Sequence, residues 1–575
     1  MAATMIANPY PMTDTERTWL YNHHRHLVEI PTVSDPTSTH YNPDNMVRAA
    51  TFLEDRLKEL GFTTRLVRID GCAPYVLAEL AADPNDPTYI LYNHYDVQPT
   101  EEEHWATDPF TLEEKDGNLY GRGAADNKFG AMATLATIRM AQERGLKLPN
   151  LKILFEGEEE AGSEHLVQLF EQEKEFLQAG AMVVMDGEDA EVIASASRGI
   201  ADVILTVNPE EQIDASSVDS AATLEQRLPF PQRYLHVTLK ASALEKPYHS
   251  GIGVLLPDCT QALAECVVAL ETTQVVGKAR ILDMVAGKPN GGNVIQDSAQ
   301  CTIAIPVGAL EDKEQVLAKI GEQMSAHPFG KEFVWSVEAD ELLHGPTLHN
   351  DSALGLARLI HSLKLPEAIE GLMDGYSGLS DAEREILRNS SQTPEEYGMG
   401  KGMLPGTRLR GDESVSVDER IVESPSISIL NMRADGSTAK AAISIRTLAG
   451  QDPNMIAAVV SDHLIEIALK NDLRIQTDVD TNGAWAWKAD IGDPCNQSYL
   501  KSLAKGFEKA RFQPCGGTNP LLAAIAQIGI PTVVPANQTA GCGAHSHNEY
   551  QNKASGEMSI GCYLDFLVNS VNQGG

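Results

Sequence analysis

Basic residues are scarce in this chain. Lys and Arg total 45 against 81 Asp and Glu, a formal charge of −36 over 575 residues. A surface that acidic repels polyanions, so neither nucleic acid nor an anionic membrane is expected as a partner. Long apolar runs are missing too: no stretch approaches the roughly 20 apolar residues that span a bilayer. The first 30 residues carry neither a basic leading segment nor a continuous apolar one, so no secretory signal is expected. Eight cysteines (Cys72, Cys259, Cys266, Cys301, Cys495, Cys515, Cys542 and Cys562) are scattered without a CxxC pair. That argues against a disulfide framework or a cysteine-based zinc knuckle, and for reduced, mostly buried thiols in a cytoplasmic protein. Low-complexity segments and short-period repeats are also absent.

What is present is ordinary globular composition, 42% hydrophobic and 22% charged. The length predicts two to four domains. The N-terminal third alternates strand and helix signals. Residues 44–60 (DNMVRAATFLEDRLKEL) show helical apolar spacing and stop at Gly61. Residues 88–93 (TYILYN) read as a buried strand, 129–145 as a helix, and Leu151–Phe155 and Ala181–Met185 as strands. That alternation implies an α/β domain with a mainly parallel sheet flanked by helices. From about residue 201 the texture becomes that of a two-layer α+β domain. Tyr234–Ala241 alternates as a strand, with helices expected at 257–271 and 311–324 and paired strands over Gly292–Val307. Residues 365–423, rich in polar residues, Gly and Pro, read as an irregular excursion. Strands at Ser426–Leu430 and Ala441–Leu448 and a helix at 453–470 follow, and α/β texture returns after Thr481. The expected organisation is a discontinuous catalytic domain, residues 1–200 and 482–575, with a lid inserted at 201–481.

Five short segments carry the chemistry. His94-Tyr95-Asp96 ends the strand TYILYN, and residues i and i+2 on an extended segment share a face. Gly121-Arg122-Gly123-Ala124-Ala125-Asp126-Asn127-Lys128 is a glycine-rich loop leading into the helix at 129, where Asp126 reads equally as a projecting ligand or as a helix cap. Glu158-Glu159-Glu160-Ala161-Gly162-Ser163 follows an apolar strand, where adjacent carboxylates repel unless cations or raised pKa values relieve them. Asp186 ends another strand, and ligands of open α/β sheets gather at such ends. The fifth is Gly543-Ala544-His545-Ser546-His547-Asn548-Glu549.

Their order (HxD, GRGxxDNK, EExGS, DG, GAHSxNE) resembles that of the co-catalytic metallopeptidase family. This family includes carnosine and nonspecific dipeptidases, aminoacylases, glutamate carboxypeptidase and succinyl-diaminopimelate desuccinylase. The dipeptidase branch is the most similar. Ile30-Pro31-Thr32-Val33-Ser34, His249-Ser250-Gly251, Ile443-Ser444-Ile445-Arg446 and Gly516-Gly517-Thr518 add to the likeness. The resemblance implies that His94 and Asp186 bind one metal ion, that Glu160 and His545 bind a second, and that Asp126 bridges them. Asp96 would support His94, and Glu159 would be the general base. His249 would sit near the scissile carbonyl, while Arg446, Gly517 and Thr518 would hold a substrate carboxylate. Two imidazoles and three carboxylates suit zinc, with manganese or cobalt as alternatives. Two departures stand out. Thr518 replaces the usual serine, and Asn482 in Thr481-Asn482-Gly483-Ala484-Trp485 replaces a histidine.

The implied function is metal-dependent hydrolysis of an amide bond in a dipeptide or similar small substrate with a free carboxylate. An N-acyl-amino-acid deacylase would use the same metals and base. A non-enzymatic binding protein on this scaffold is the reading from another class, and the intact set of ligands and base opposes it. The lid is longer than short-lid members require and reads as internally doubled. The first unit would run from YLHVTLKA (residues 234–241) through the helix at 311–324. The second would start at EFVWSVEA (residues 332–339) and end around Arg446. In dimeric relatives the HSG histidine reaches the other subunit's site. A doubled lid therefore predicts an active monomer, and one enlarged lid predicts a homodimer.

Overall fold

A computed structural model gives the architecture. It describes residues 4–100, 104–187, 189–207, 233–245, 248–249, 255–272, 280–287, 294–307, 313–326, 333–342, 351–364, 369–401, 403–404, 407, 409–435, 438–481 and 483–572. Two eight-stranded sheets organise them, each with its own buried apolar core.

The first sheet is mixed. Its order is Thr63–Val67, Tyr75–Leu80, Asn150–Glu156, Thr88–His94, Ala181–Val184, Thr532–Pro535, Val192–Ala194 and Arg511–Gln513. The four strands from Asn150–Glu156 to Thr532–Pro535 run parallel. Thr63–Val67 and Tyr75–Leu80 are antiparallel, as the short connection between them requires. The sheet is thus parallel at its centre, with antiparallel pairings on both flanks. Helices cover it. Pro43–Glu59 starts on an Asn42 cap with Pro43 at its first turn, and turns Met46, Ala49, Ala50, Leu53 and Leu57 inward at helical spacing. Lys128–Glu143 is buried on every side from Lys128 to Ile138.

The second sheet is antiparallel from edge to edge. Its order is Val334–Leu342, Arg233–Ser242, Ser298–Val307, Arg280–Ala286, Ser426–Asp435, Thr438–Arg446, Ala201–Val207 and Ile475–Val479. It divides into two four-stranded halves of like topology. In one half, Arg233–Ser242 leads to the helix Cys259–Thr272, two strands, the helix Lys313–Ala326 and the strand Val334–Leu342. In the other, Ala201–Val207 precedes the helix Asp351–Ser362, which is followed by two strands, the helix Pro453–Lys470 and the strand Ile475–Val479. Numbered along the chain, each half places its fourth strand beside its first and its third beside its second. The second strands meet at a seam where Met284, Val285 and Ala286 pair with Ala434, Arg433 and Met432. The strand containing EFVWSVEA pairs with Arg233–Ser242, so it closes the first half instead of opening the second. The second half opens at Ala201, and the first half is inserted into it.

The 365–423 segment is more ordered than its composition suggests. It contains the helices Asp381–Ser390, Pro394–Gly400 and Val417–Glu423. Each starts on a capping box, with Ser380, Thr393 and Ser416 paired reciprocally to Glu383, Glu396 and Glu419. Those local signals outweigh the polar composition. Among the described residues, no helix is long and apolar enough to cross a membrane, and no disulfide joins any of the eight cysteines.

Candidate metal centre

Three neighbouring parallel strands of the first sheet end together, and their ends deliver most of the polar side chains predicted from the sequence. Thr88–His94 supplies His94 and, two residues on, Asp96. Asn150–Glu156 runs into a short turn carrying Glu158, Glu159 and Glu160. Ala181–Val184 leads to Asp186. Asp126 comes from the loop before Lys128–Glu143, and His545 from the loop before Tyr550–Asn552.

Asp126 stands between the two histidines. Its Oδ1 is 3.2 Å from His94 Nε2, and its Oδ2 is 3.3 Å from His545 Nε2. Asp186 Oδ1 lies 3.7 Å from His94 Nε2, and Glu160 Oε2 lies 3.0 Å from His545 Nε2. Two clusters of donor atoms result, His94–Asp126–Asp186 and Asp126–Glu160–His545. Within each, the donor atoms are all within 4.8 Å of one another. Nitrogen and oxygen donors in this arrangement fit two divalent cations sharing one carboxylate. Asp96 accepts the backbone N–H groups of Glu159 and Glu160 and lies 3.4 Å from His94 Nδ1. It therefore links the imidazole to the glutamate turn. Glu159 Oε2 is 3.9 Å from His94 Nε2.

Within the glutamate run, Glu158 is set apart by its contacts. Glu158 turns away, its carboxylate bonded by Tyr75 Oη and by the His165 backbone and ring. His547 stacks on His104 and takes no part in either cluster.

Electrostatics follow from crowding acids in a buried site. Burial and the neighbouring carboxylates push Glu159 well above the usual carboxylate range, against the pull of His94. Burial and Asp126 push Glu160 up, against His545. Burial opposes charge on His94, yet Asp126, Asp186 and Asp96 outweigh it and raise the imidazole well above 6.5. Burial likewise opposes charge on His545, but Asp126 and Glu160 push it up to about 11. The repulsion between carboxylates among these causes is what a cation would relieve.

Residues outside the predicted set hold the site in shape. Glu549 is fully buried and accepts the N–H groups of Gly123, Ala125 and Asp126 and the Arg122 guanidinium. Thr134 donates to Asn93, Asn93 to Asn127, and Asn127 to Asp186 Oδ1 at 2.7 Å. This relay leaves no room at Gly130, where a Cβ would lie 2.0 Å from Asn127 Oδ1. Gln98 donates to Glu160 Oε2 at 2.8 Å, and Asn519 to Glu159 Oε1 at 3.3 Å. Asn127 and Glu549 stood inside quoted motifs. Gln98 and Asn519 gave no signal beyond lying next to one.

Arg446 and Thr518 meet beside Asn519. Arg446 ends the strand Thr438–Arg446, and its Nη1 donates to Thr518 Oγ1 at 2.7 Å. Thr518 Oγ1 donates in turn to the Arg198 carbonyl, while Arg198 binds the carbonyls of Gly517 and Arg446. Thr518 is followed directly by Asn519, which touches Glu159. His249 lies on the two-residue strand Tyr248–His249, paired with Val294–Ile295. Its side chain, together with Ser250, Gly251 and Asn482, lies outside the described residues.

Comparison with known proteins decides the family. The model for peptidase family M20/M25/M40 matches residues 90–569. The chain belongs to this family. Beta-Ala-His dipeptidase of Rattus norvegicus is 40% identical over 142 residues, 23% of this chain and 29% of that protein. The Cys-Gly metallodipeptidase of Schizosaccharomyces pombe is 32% identical over 216 residues, 34% of this chain and 45% of the relative. Aminoacylase-1 of Mus musculus is 33% identical over 144 residues, 24% and 35% of the two chains. These matches span less than half the length of each relative. Among solved structures, aminoacylhistidine dipeptidase from Vibrio alginolyticus shares the fold at a TM-score of 0.63 and 13% identity, covering 98% of both chains. Human carnosine dipeptidase 1 does so at 0.56 and 20% identity, covering 97% of this chain and 98% of the other. The family's mixed α/β fold thus extends across nearly the whole chain.

Proposed function

We propose that this protein is a metal-dependent hydrolase that cleaves the amide bond of a dipeptide or similar small substrate with a free carboxylate. The observation that carries the reading is Asp126, whose two oxygens face two different histidines with the carboxylate of Glu159 alongside. His94 and Asp186 would hold one divalent ion, Glu160 and His545 the other, with Asp126 shared. Zinc is the metal proposed, with manganese or cobalt as alternatives. Such ions acidify water and polarise a carbonyl. Glu159, neither bonded within either ligand cluster nor far from one, takes the proton of the attacking water and returns it to the leaving amine nitrogen. Arg446 and Thr518, reaching the site through Asn519, receive the substrate carboxylate, with the Gly517 backbone beside them. His249 serves the scissile carbonyl.

Similarity to aminoacylase-1 over 144 residues supports N-acyl-amino-acid cleavage as the second reading. A panel of dipeptides against N-acetyl and N-succinyl amino acids separates the two. The reading fails as a whole if the metal-loaded protein hydrolyses neither class. Two like halves on one antiparallel sheet support a doubled lid, and with it a monomer whose first half brings His249 and whose second brings Arg446. Eight cysteines without a disulfide support a cytoplasmic setting.

A further inference from the structure

A second cluster of ligand-type side chains lies behind the glutamate turn, and neither the family motifs nor the proposed reaction uses it. Cys72 sits on the connection between Thr63–Val67 and Tyr75–Leu80. Glu158 follows Asn150–Glu156, and His165 immediately precedes the helix Leu166–Gln172. One donor atom from each (thiol sulfur, carboxylate oxygen, imidazole nitrogen) lies within 4.8 Å of the other two. The three face a cleft of about 710 Å³, which Gln98 and Glu160 also line.

The geometry points to an auxiliary site for a thiophilic divalent cation such as zinc, bound by Cys72, Glu158 and His165 with the fourth position open to cleft water. Sulfur, oxygen and nitrogen donors converging with one open side form a zinc-type set. The sulfur distinguishes this set from the oxygen and nitrogen donors around Asp126 and biases it towards softer ions. The carboxylate is already oriented, since Tyr75 Oη and the His165 backbone N–H both donate to Glu158 Oε1. His165 Nδ1 lies 2.9 Å from Glu158 Oε2, so the ring is also turned inward. Burial and the Glu158 charge push the Cys72 thiol up, so without a cation the sulfur keeps its proton. On binding, the thiol proton leaves to solvent and the sulfur becomes a thiolate. The imidazole binds through Nδ1, whose proton passes by way of solvent to Nε2, and the hydrogen bond from His165 Nδ1 to Glu158 Oε2 is replaced by two bonds to the ion. Because Glu158 directly precedes Glu159 and Glu160, an ion held there fixes the start of the turn that presents both.

Cobalt titration of the chelator-stripped full-length protein tests this, following near-ultraviolet absorption alongside bound metal. Occupation of Cys72 gives a sulfur-to-cobalt charge-transfer band, and a third equivalent of cobalt binds. Cys72→Ser should abolish the band and remove one bound equivalent while leaving the others in place. His165→Ala should weaken cobalt at this site by more than the roughly 10–100-fold that losing an outer-shell partner costs. Absence of the band at saturating cobalt, or a band that persists in Cys72→Ser, overturns the proposal. The ligands around Asp126 contain no sulfur, so failure of the dinuclear reading would show instead as loss of the equivalents that carry no such band.

Discussion

Arg446 Nη1 donates to Thr518 Oγ1 across 2.7 Å, joining the end of a strand of the second sheet to the loop that brings Asn519 to Glu159. The contact ties two parts of the chain 72 residues apart. The arginine is almost wholly buried, at 1% exposure. Asp202 acts on the guanidinium as well, and in the proposed reading the same guanidinium takes the substrate carboxylate. Thr518→Val should therefore raise KM for substrates with a free carboxylate by roughly tenfold, the scale of one charge-assisted hydrogen bond. Thr518→Ser should stay near the parent. Equal KM values for Thr518→Val and the parent, measured by steady-state kinetics, would remove Thr518 from the carboxylate subsite.

Glu159 and Glu160 should separate cleanly. Glu159→Gln is expected to lower kcat by about 10²–10⁴-fold, the usual contribution of a general base, with both metals retained. Glu160→Gln should lose one metal, because its carboxylate oxygen faces His545 at 3.0 Å. Metal analysis and kcat on both variants decide the matter. Exchanged phenotypes would move the assignment by one residue.

Removing the metals should make stability sensitive to alkali. In the metal-free chain, His94 and His545 have values raised above the ordinary 6.5, that of His545 to about 11. A group that binds its proton more tightly when folded stabilises the fold fully below its unfolded value, and that contribution is lost as pH rises through the folded value. Glu159 and Glu160 shift the same way, since burial favours their uncharged forms. Asp126 is shifted down, so its stabilisation fails only in acid, below the ordinary 3.8. The Tm of chelated protein should thus fall as pH rises from 6.5 towards 11, while reloading with zinc should flatten the decline and restore activity. Parallel melting curves for the two forms would count against the metal centre.

Lid doubling has its own test. Mixing His249→Ala protein with Arg446→Ala protein should restore no activity if each chain completes its own site, and the parent should sediment as an active monomer. Recovery in the mixture would show that sites are shared between subunits.

Sequence alone pointed to the residues of the candidate site, because metal ligation depends on residue type and each proposed ligand stands in a short, ordered motif at the end of a strand or the start of a helix. His94 and Asp96 could be placed on one face from two-residue spacing alone. Long amphipathic helices such as Pro43–Glu59 were legible for the same local reason. Tertiary structure decided what depends on pairing between distant segments. The sheet order, parallel at its centre with antiparallel pairings on both flanks, is not written in any single strand. Nor is the partner of EFVWSVEA, because an alternating strand reads alike whichever neighbour it takes, and here that neighbour lies about a hundred residues earlier. The supports of the site were hidden likewise. Glu549 reaches Asp126 across 423 residues, and Asn519 reaches Glu159 across 360. Hydrogen bonds of that separation exist only once the first core has closed and brought their loops together.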